Sequence, residues 1–238
     1  MKHLIGIGFQ NRPDLLRKAL DSIRPYWAHT VVVDNSDARS LRAECWLKRR
    51  VRVAEPPVPF TFPQMMNWLR EQAEASGCPV MMIMHNDAEA HPGTPAAFLR
   101  VLRRLEESGR RWGAAFTNYD ILAAFNVKAM QTVGPWDTTF TQYCSDTDYY
   151  WRLKSAGYEL VWSGLGVSHH NSGSNTMKAD EFRKHQVWAS SPGIYDPYFI
   201  RKWGRAWTYP EDLAFADKWH KEPFAPPAAE TTAGAAHL

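Results

Sequence analysis

The segment Val80-Met81-Met82-Ile83-Met84 is apolar at every position and stops abruptly at His85-Asn86-Asp87. A strand with polar residues on neither face has to be covered on both, which is the pattern of a central strand in a parallel sheet flanked by helices. The segments before it fit such a sheet. Residues 3–9 read as a buried strand, and Asn11-Arg12-Pro13 opens a helix that places Leu15, Leu16, Ala19, Leu20 and Ile23 on one face. Thr30–Val33 is a second buried strand, ended by the turn-forming run Asp34-Asn35-Ser36-Asp37. A third strand is expected around Val51–Val53, followed by the Pro-rich Glu55–Pro59 and a helix that has Pro63 near its start and turns Met66, Leu69 and Ala73 inward. Beyond Asp87, Thr94-Pro95 starts a helix through Phe98, Leu99, Leu102 and Leu105. The alternation predicts an α/β fold: an open, doubly wound, mostly parallel sheet with helices on both faces and its ligand at the carboxyl ends of the strands.

From about residue 113 the apolar pieces shorten. Gly113–Phe116 and Ile121–Asn126 precede a Gly134-Pro135 break, a helix from about Asp146 to Ala156 and a strand over Tyr158–Trp162, which are expected to complete one face of the same cleft. With 238 residues, 45% of them hydrophobic, the chain is long enough for one domain over residues 1–222, while the Pro/Ala-rich residues 223–238 offer little to pack and read as a flexible tail. Cys45, Cys78 and Cys144 are odd in number, far apart and in no C-x-x-C pair, which argues against a disulfide framework or a zinc site and for a reducing compartment. No apolar signal region opens the chain and no run approaches eighteen apolar residues, so the expected location is cytoplasmic, with a peripheral place at a membrane surface permitted by the formal charge of +3. The 28 Lys+Arg and 25 Asp+Glu are scattered, unlike the basic face of a nucleic-acid binder.

Acidic residues stand where such a sheet would place a site. Asp87 follows the all-apolar strand and has the chemistry to hold Mg²⁺ or Mn²⁺ on a diphosphate; the same residue, with Glu89, would also serve as a turn acid ahead of a helix. Asp34 suits hydrogen bonds to a ribose or base, or simply shapes its own turn. Asp146 and Asp148 open a helix, where the macrodipole favours negative charge, and either one is also a candidate general base. His169 and His170 lie at another strand end; as neighbours on a strand they point apart, so at most one is expected to bind a metal.

Taken in order, these pieces resemble the family 2 glycosyltransferases of GT-A fold, in a soluble short form similar to bacterial or phage-type members, over residues 3 to about 175. The family's opening strand and Asn/Arg loop resemble Ile5–Arg12, and its V-D-N-S-like run resembles Val33-Asp34-Asn35-Ser36. Its F-N-F-S-x-x-x-N-like segment is similar to Phe60–Asn67, and its N-N-D-x-E form of the metal-binding D-x-D is similar to His85-Asn86-Asp87-Ala88-Glu89. G-x-F-D and E-D-x-D-x-x-x-R resemble Gly134-Pro135-Trp136-Asp137 and Ser145–Arg152, and a late His motif fits His169 or His170. The chain departs from the family at His85, in the first position of D-x-D, and at Ser145, in place of Glu.

The resemblance implies a metal-dependent, inverting transfer of a sugar from a nucleoside-diphosphate sugar, UDP-linked as the first guess, to an acceptor hydroxyl. Residues 1–110 would bind the nucleotide sugar and 111–222 the acceptor. Asn11, Arg12, Asp34, Asn67, Asn86 and Asp87 would bind the nucleotide sugar; Asp87 with His169 or His170 would hold Mn²⁺ or Mg²⁺; Asp146, with Asp148 in reserve, would be the base. The acceptor is left open among a glycan, a lipid-linked sugar, a protein and a modified nucleic acid. The segment Tyr198–Gly204 also resembles a piece found after the catalytic core of some soluble members, expected to cover the cleft with Arg201 or Lys202 near phosphate.

Two readings compete within the same fold: a non-catalytic glycan-binding protein, for which His85 and Ser145 would mark lost activity, and a sugar nucleotidyltransferase, whose Gly-rich phosphate loop is missing. A nicotinamide dehydrogenase built on Gly6-Ile7-Gly8 lacks the third glycine, since Asn11 stands there. The chain holds 11 Trp, 9 Tyr and 11 Phe, more than a core this size needs, and Trp136, Tyr143, Tyr149 and Trp203 are the candidates to stack on acceptor sugar rings.

Overall fold

The computed structural model of the chain describes residues 1–118, 120–141, 144–170 and 191–205. Tyr143, the aromatic residues past 205 and the tail 223–238 lie outside these. The strands are β1 (His3–Phe9), β2 (Thr30–Asp34), β3 (Arg52–Ala54), β4 (Val80–His85), β5 (Ala88–Ala90), β6 (Trp112–Phe116), β7 (Leu122–Asn126), β8 (Glu159–Trp162) and β9 (Val167–His169). The helices are α1 (Pro13–Ser22), α2 (Cys45–Lys48), α3 (Phe62–Ala75), α4 (Thr94–Glu107), α5 (Val127–Val133), α6 (Ser145–Ser155) and α7 (Asp196–Trp203).

Seven strands form one sheet in the order β3-β2-β1-β4-β7-β6-β8. The first four are parallel to one another, β7 runs antiparallel to both β4 and β6, and β8 is parallel to β6. The second half of the chain thus extends the sheet itself in addition to flanking it. Strand β4 is covered on both faces as its composition requires. Met82 and Met84 join Leu16, Leu20, Phe98 and Leu102 of α1 and α4 on one side, and Met81 and Ile83 join Met66, Leu69, Met130 and Leu153 of α3, α5 and α6 on the other.

The glycines of β1 belong to this packing. A Cβ on Gly6 would come within 2.3 Å of Leu69, and one on Gly8 within 2.5 Å of the Met65 sulfur, so they let α3 lie close on the sheet and are no phosphate loop. Helix starts follow local chemistry: Gln64 accepts from the Thr61 N–H at 2.9 Å ahead of α3, and Asn126 Oδ1 accepts from the N–H groups of Lys128 and Ala129 to begin α5. Among the described residues no helix is long and apolar enough to cross a membrane.

What this arrangement positions is a line of strand ends. Phe9 is in register with Asp34, and Gly8 with His85, so the carboxyl ends of β1, β2 and β4 stand side by side where the chain's strand order reverses. Beside them β5 and β9 form a separate two-stranded antiparallel sheet, too short to carry a periodicity of its own in the sequence; it pairs Ala88 with His169.

Candidate active site

The centre of the site is built by β4, β5 and β9. His85 closes β4, Asp87 precedes β5, and the β5–β9 pairing brings His169 to Asp87, Nε2 to Oδ1 at 3.1 Å. The His170 N–H donates to the Asp87 carbonyl at 3.0 Å, which fixes the strand end. One ligand atom each from His85, Asp87 and His169 lies within 4.8 Å of the others, and the two imidazoles meet edge to face at 5.2 Å. His170, its side chain turned away from its neighbour's, pairs instead with Glu89 at 3.0 Å. Of the two adjacent histidines, His169 is the one beside Asp87, and His85, in the first position of the D-x-D-like run, stands close enough to be a third possible donor.

Two carboxylates face this cluster. Asp146 stands on the first turn of α6, and Asp120 on the loop between β6 and β7, where it accepts a hydrogen bond from Tyr150 Oη at 3.2 Å. That loop is fastened to the histidine strand, because the Asn118 side chain both donates to the Val167 carbonyl (2.9 Å) and accepts from its N–H (3.2 Å). Asp120 has no motif around it, and sequence reasoning missed it.

The electrostatics follow from depth and neighbours. Burial, then the charge of Asp120, push the Asp146 carboxyl up to about 6, with His85 acting in the opposite sense. Burial likewise raises Asp120. Burial, then the charge of His169, bring His85 down to about 4, so it is neutral near pH 7 and its lone pair is available. Burial alone would raise Asp87, but the His169 hydrogen bond and the charges of both imidazoles outweigh it and hold this carboxyl below its ordinary value. The donor set suits a divalent ion. Donors about 2.1 Å from one ion lie at most about 4.2 Å apart, so a small contraction would close the ring around one.

The remaining candidates divide. Asn86 donates to the Asn11 carbonyl at 3.0 Å and ties the end of β4 to the end of β1. Arg12 sits beside it with a left-handed backbone (φ 63°), its guanidinium on Asp14. Asp34 is fully buried and turned onto its own loop: Oδ1 accepts from the Ser36 N–H (3.0 Å) and Oγ (2.5 Å), and Oδ2 from the Leu41 N–H (3.4 Å). Asn67 is engaged with Trp136, donating to its carbonyl at 3.0 Å and accepting from its N–H at 2.7 Å. Asp148 has no exposure and faces away from the cluster, to Lys202 and Trp203.

The aromatic expectation needs correcting at two positions. Trp136 is 2% exposed and Tyr149 0%; they stack on each other at 4.2 Å and pack on Phe125 inside the core, so neither presents a face to a sugar ring. Lys202 is likewise turned to carboxylates and not toward a phosphate site.

No protein-family model matches the sequence, and no curated protein matches it. Solved structures do resemble it in shape. The structure of GalNAc-T7 with UDP, GalNAc and Mn²⁺ superposes on 93% of this chain and 55% of its own, with 12% identity and a TM-score of 0.58. S. aureus TarS 1–349 matches 64% of this chain and 55% of its own at 12% identity, with a TM-score of 0.49. Glucosyl-3-phosphoglycerate synthase from Mycobacterium tuberculosis matches 79% and 78% at 14% identity, also with a TM-score of 0.49. The chain spans about half the length of the first two. At these identities the likeness is one of architecture, and the chain has the mixed α/β, Rossmann-like GT-A fold.

Proposed function

We propose that this chain is a metal-dependent glycosyltransferase of the family 2 kind, moving a sugar from a UDP-sugar to an acceptor hydroxyl with inversion at the anomeric carbon. The observation that carries the reading is the His85–Asp87–His169 donor set at the end of β4, beside a buried Asp146 whose basicity is raised. The structure of GalNAc-T7, which has this fold, holds UDP, GalNAc and Mn²⁺ and supports the choice of donor and ion.

In this reading His85, Asp87 and His169 hold Mn²⁺. When bound, the ion supplies positive charge to the diphosphate as it departs. Neutral His85 and ionised Asp87 are the protonation forms that ligation requires. Asn86 and Asn11 shape the junction of β1 and β4 beneath the diphosphate, and the Asp34 turn borders the nucleoside, presenting its backbone while its carboxylate stays engaged. Asp146 takes the proton of the acceptor hydroxyl as that oxygen attacks C1. A carboxyl near 6 is ionised at neutral pH yet a stronger base than an ordinary aspartate. Asp146 is preferred to Asp148 because the latter is committed to α7.

The test is a panel of UDP, GDP, TDP and CDP with and without Mn²⁺, read as shifts in melting temperature. UDP with Mn²⁺ should give the largest shift; no metal-dependent shift with any nucleotide overturns the proposal. UDP binding without turnover of any UDP-sugar would instead indicate a binding protein.

A further inference from the structure

The segment Tyr198–Gly204 has no part in the chemistry above, yet Tyr198, Lys202 and Trp203 each hydrogen-bond a buried or half-buried carboxylate. Lys202 Nζ lies 2.7 Å from both Asp137 Oδ2 and Asp148 Oδ1. Trp203 Nε1 donates to Asp148 Oδ1 at 2.9 Å, and Tyr198 Oη to Asp137 Oδ2 at 2.7 Å. Asp148 is fully buried, and its Oδ2 has no hydrogen-bond partner among the described residues, Arg152 being 3.9 Å away. A buried carboxylate held on one oxygen by two groups from a single helix depends on that helix staying docked.

Asp148 is two positions from Asp146 on the same turn of α6, about 200° around the helix axis. One faces α7 and the other the histidine cluster, so the rotation of this turn sets both at once. The turn is also entered under strain. Cys144 is a non-glycine residue at φ 66°, a conformation that a Cβ disfavours and that persists only where surrounding packing over-determines it. That packing is the cluster of Cys144 and Phe140 with Tyr195 and Phe199, the latter two from the C-terminal segment.

We propose that Lys202 and Trp203 are positioning residues for the transfer: by clamping Asp148 they fix the rotation of the first turn of α6 and keep Asp146 aimed at the metal centre. The inference rests on Asp146 being the base. It gives the C-terminal motif a task distinct from covering a cleft or binding phosphate. Trp203 and Lys202 act through Asp148 and touch no substrate.

The experiment compares the full chain with Lys202→Met, Trp203→Phe and Lys202→Arg. Hydrogen exchange of the metal-free protein is read over residues 144–150 and, as a control, over β1 and β4. Mn²⁺-dependent hydrolysis of UDP-glucose and UDP-GalNAc, with water as acceptor, is read as kcat and KM, and UDP–Mn²⁺ affinity is measured separately. K202M and W203F should speed exchange in 144–150 alone and lower kcat about tenfold or more with UDP affinity within twofold, and K202R should recover most of the rate. Unchanged exchange over 144–150 in both variants overturns the proposal, as does unchanged kcat or an equal loss of UDP affinity. If the wild type binds no UDP with Mn²⁺, the reading of the site fails while the exchange data still decide whether α7 holds this turn.

Discussion

Helix α6 separates two acidic clusters that start from the same chemistry and end differently. On one side Asp137 and Asp148, from two elements, converge on Lys202, and the chain's own ammonium completes the site. On the other, Asp87, Asp120 and Asp146 converge from three elements, and among the described residues the ion-pair partner found there is an imidazole. His85 in that group is held neutral by burial. The first cluster is a fastening, complete within the fold. The second gathers carboxylates of which two, Asp120 and Asp146, are pushed up by burial, an arrangement that an external divalent ion would relieve. Two aspartates in Asp146-Thr147-Asp148 serve one cluster each, because a helical turn sends residues two apart in nearly opposite directions.

The comparison is broken most severely at Asp87. Asp87→Ala removes the only carboxylate of the donor set, so the Mn²⁺-dependent melting shift with UDP should vanish and metal affinity fall by more than the roughly 10–100-fold seen on losing a partner behind a ligand. Melting in the absence of metal should hardly change. A retained metal-dependent shift would move the ion away from β4.

Asp146→Asn and Asp148→Ala should fail in different ways. The first keeps UDP–Mn²⁺ binding and lowers transfer by about 10²–10⁴-fold, the usual contribution of a positioned base. The second strands the half-buried Trp203 N–H and should lower stability by about 1–3 kcal/mol, a melting decrease of roughly 2–10 °C, with a smaller loss of turnover than D146N. Larger rate loss in D148A at unchanged melting temperature would exchange the two roles.

Acid and base should act on the two clusters with opposite sign. The Asp146 carboxyl is raised to about 6 against about 3.9 when unfolded, so between those values the folded protein holds the extra proton and stability falls as pH rises. Asp137 is the reverse. Burial would raise it, but the bonds from Lys202 and Tyr198 hold it well below the ordinary range, so its contribution is present above about pH 4 and lost as pH falls below. Urea denaturation of metal-free protein from pH 3 to 7 tests both: D146N should flatten the decline between about 4 and 6, and D137N the loss at the acid end. Asp120→Asn, by removing a neighbouring negative charge, should lower the Asp146 midpoint in a carboxylate NMR titration.

Much of the second cluster is legible in the sequence, because strand ends in an α/β sheet are local events: an apolar run stops, and the next polar residues are the candidates for a site. Asp87 and His169 could be placed this way. His85 was hidden because a motif comparison scores it as a missing aspartate, although imidazole is itself a ligand. Asp120 carries no local signal, and its place depends on Asn118 bridging to β9 nearly fifty residues later. The first cluster depends on α7 reaching back to α6, which no periodicity within α6 reports. For the same reason Trp136 and Tyr149 looked available: their burial is set by Phe125 on β7, not by their neighbours in sequence.

The smallest expected effect separates the adjacent histidines. His169 and His170 differ by one position on a strand, which turns their rings to opposite sides, one onto buried Asp87 and the other onto half-exposed Glu89. An ion pair of the second kind is worth about 0–1 kcal/mol and is weakened by salt. His170→Ala should therefore shift melting by no more than a few degrees and leave Mn²⁺ affinity within a few-fold, whereas His169→Ala should approach D87A in the loss of the metal-dependent shift. If isothermal titration with Mn²⁺ ranks the two variants the other way, the β5–β9 register that sets their directions is displaced by one residue, and with it the whole donor set.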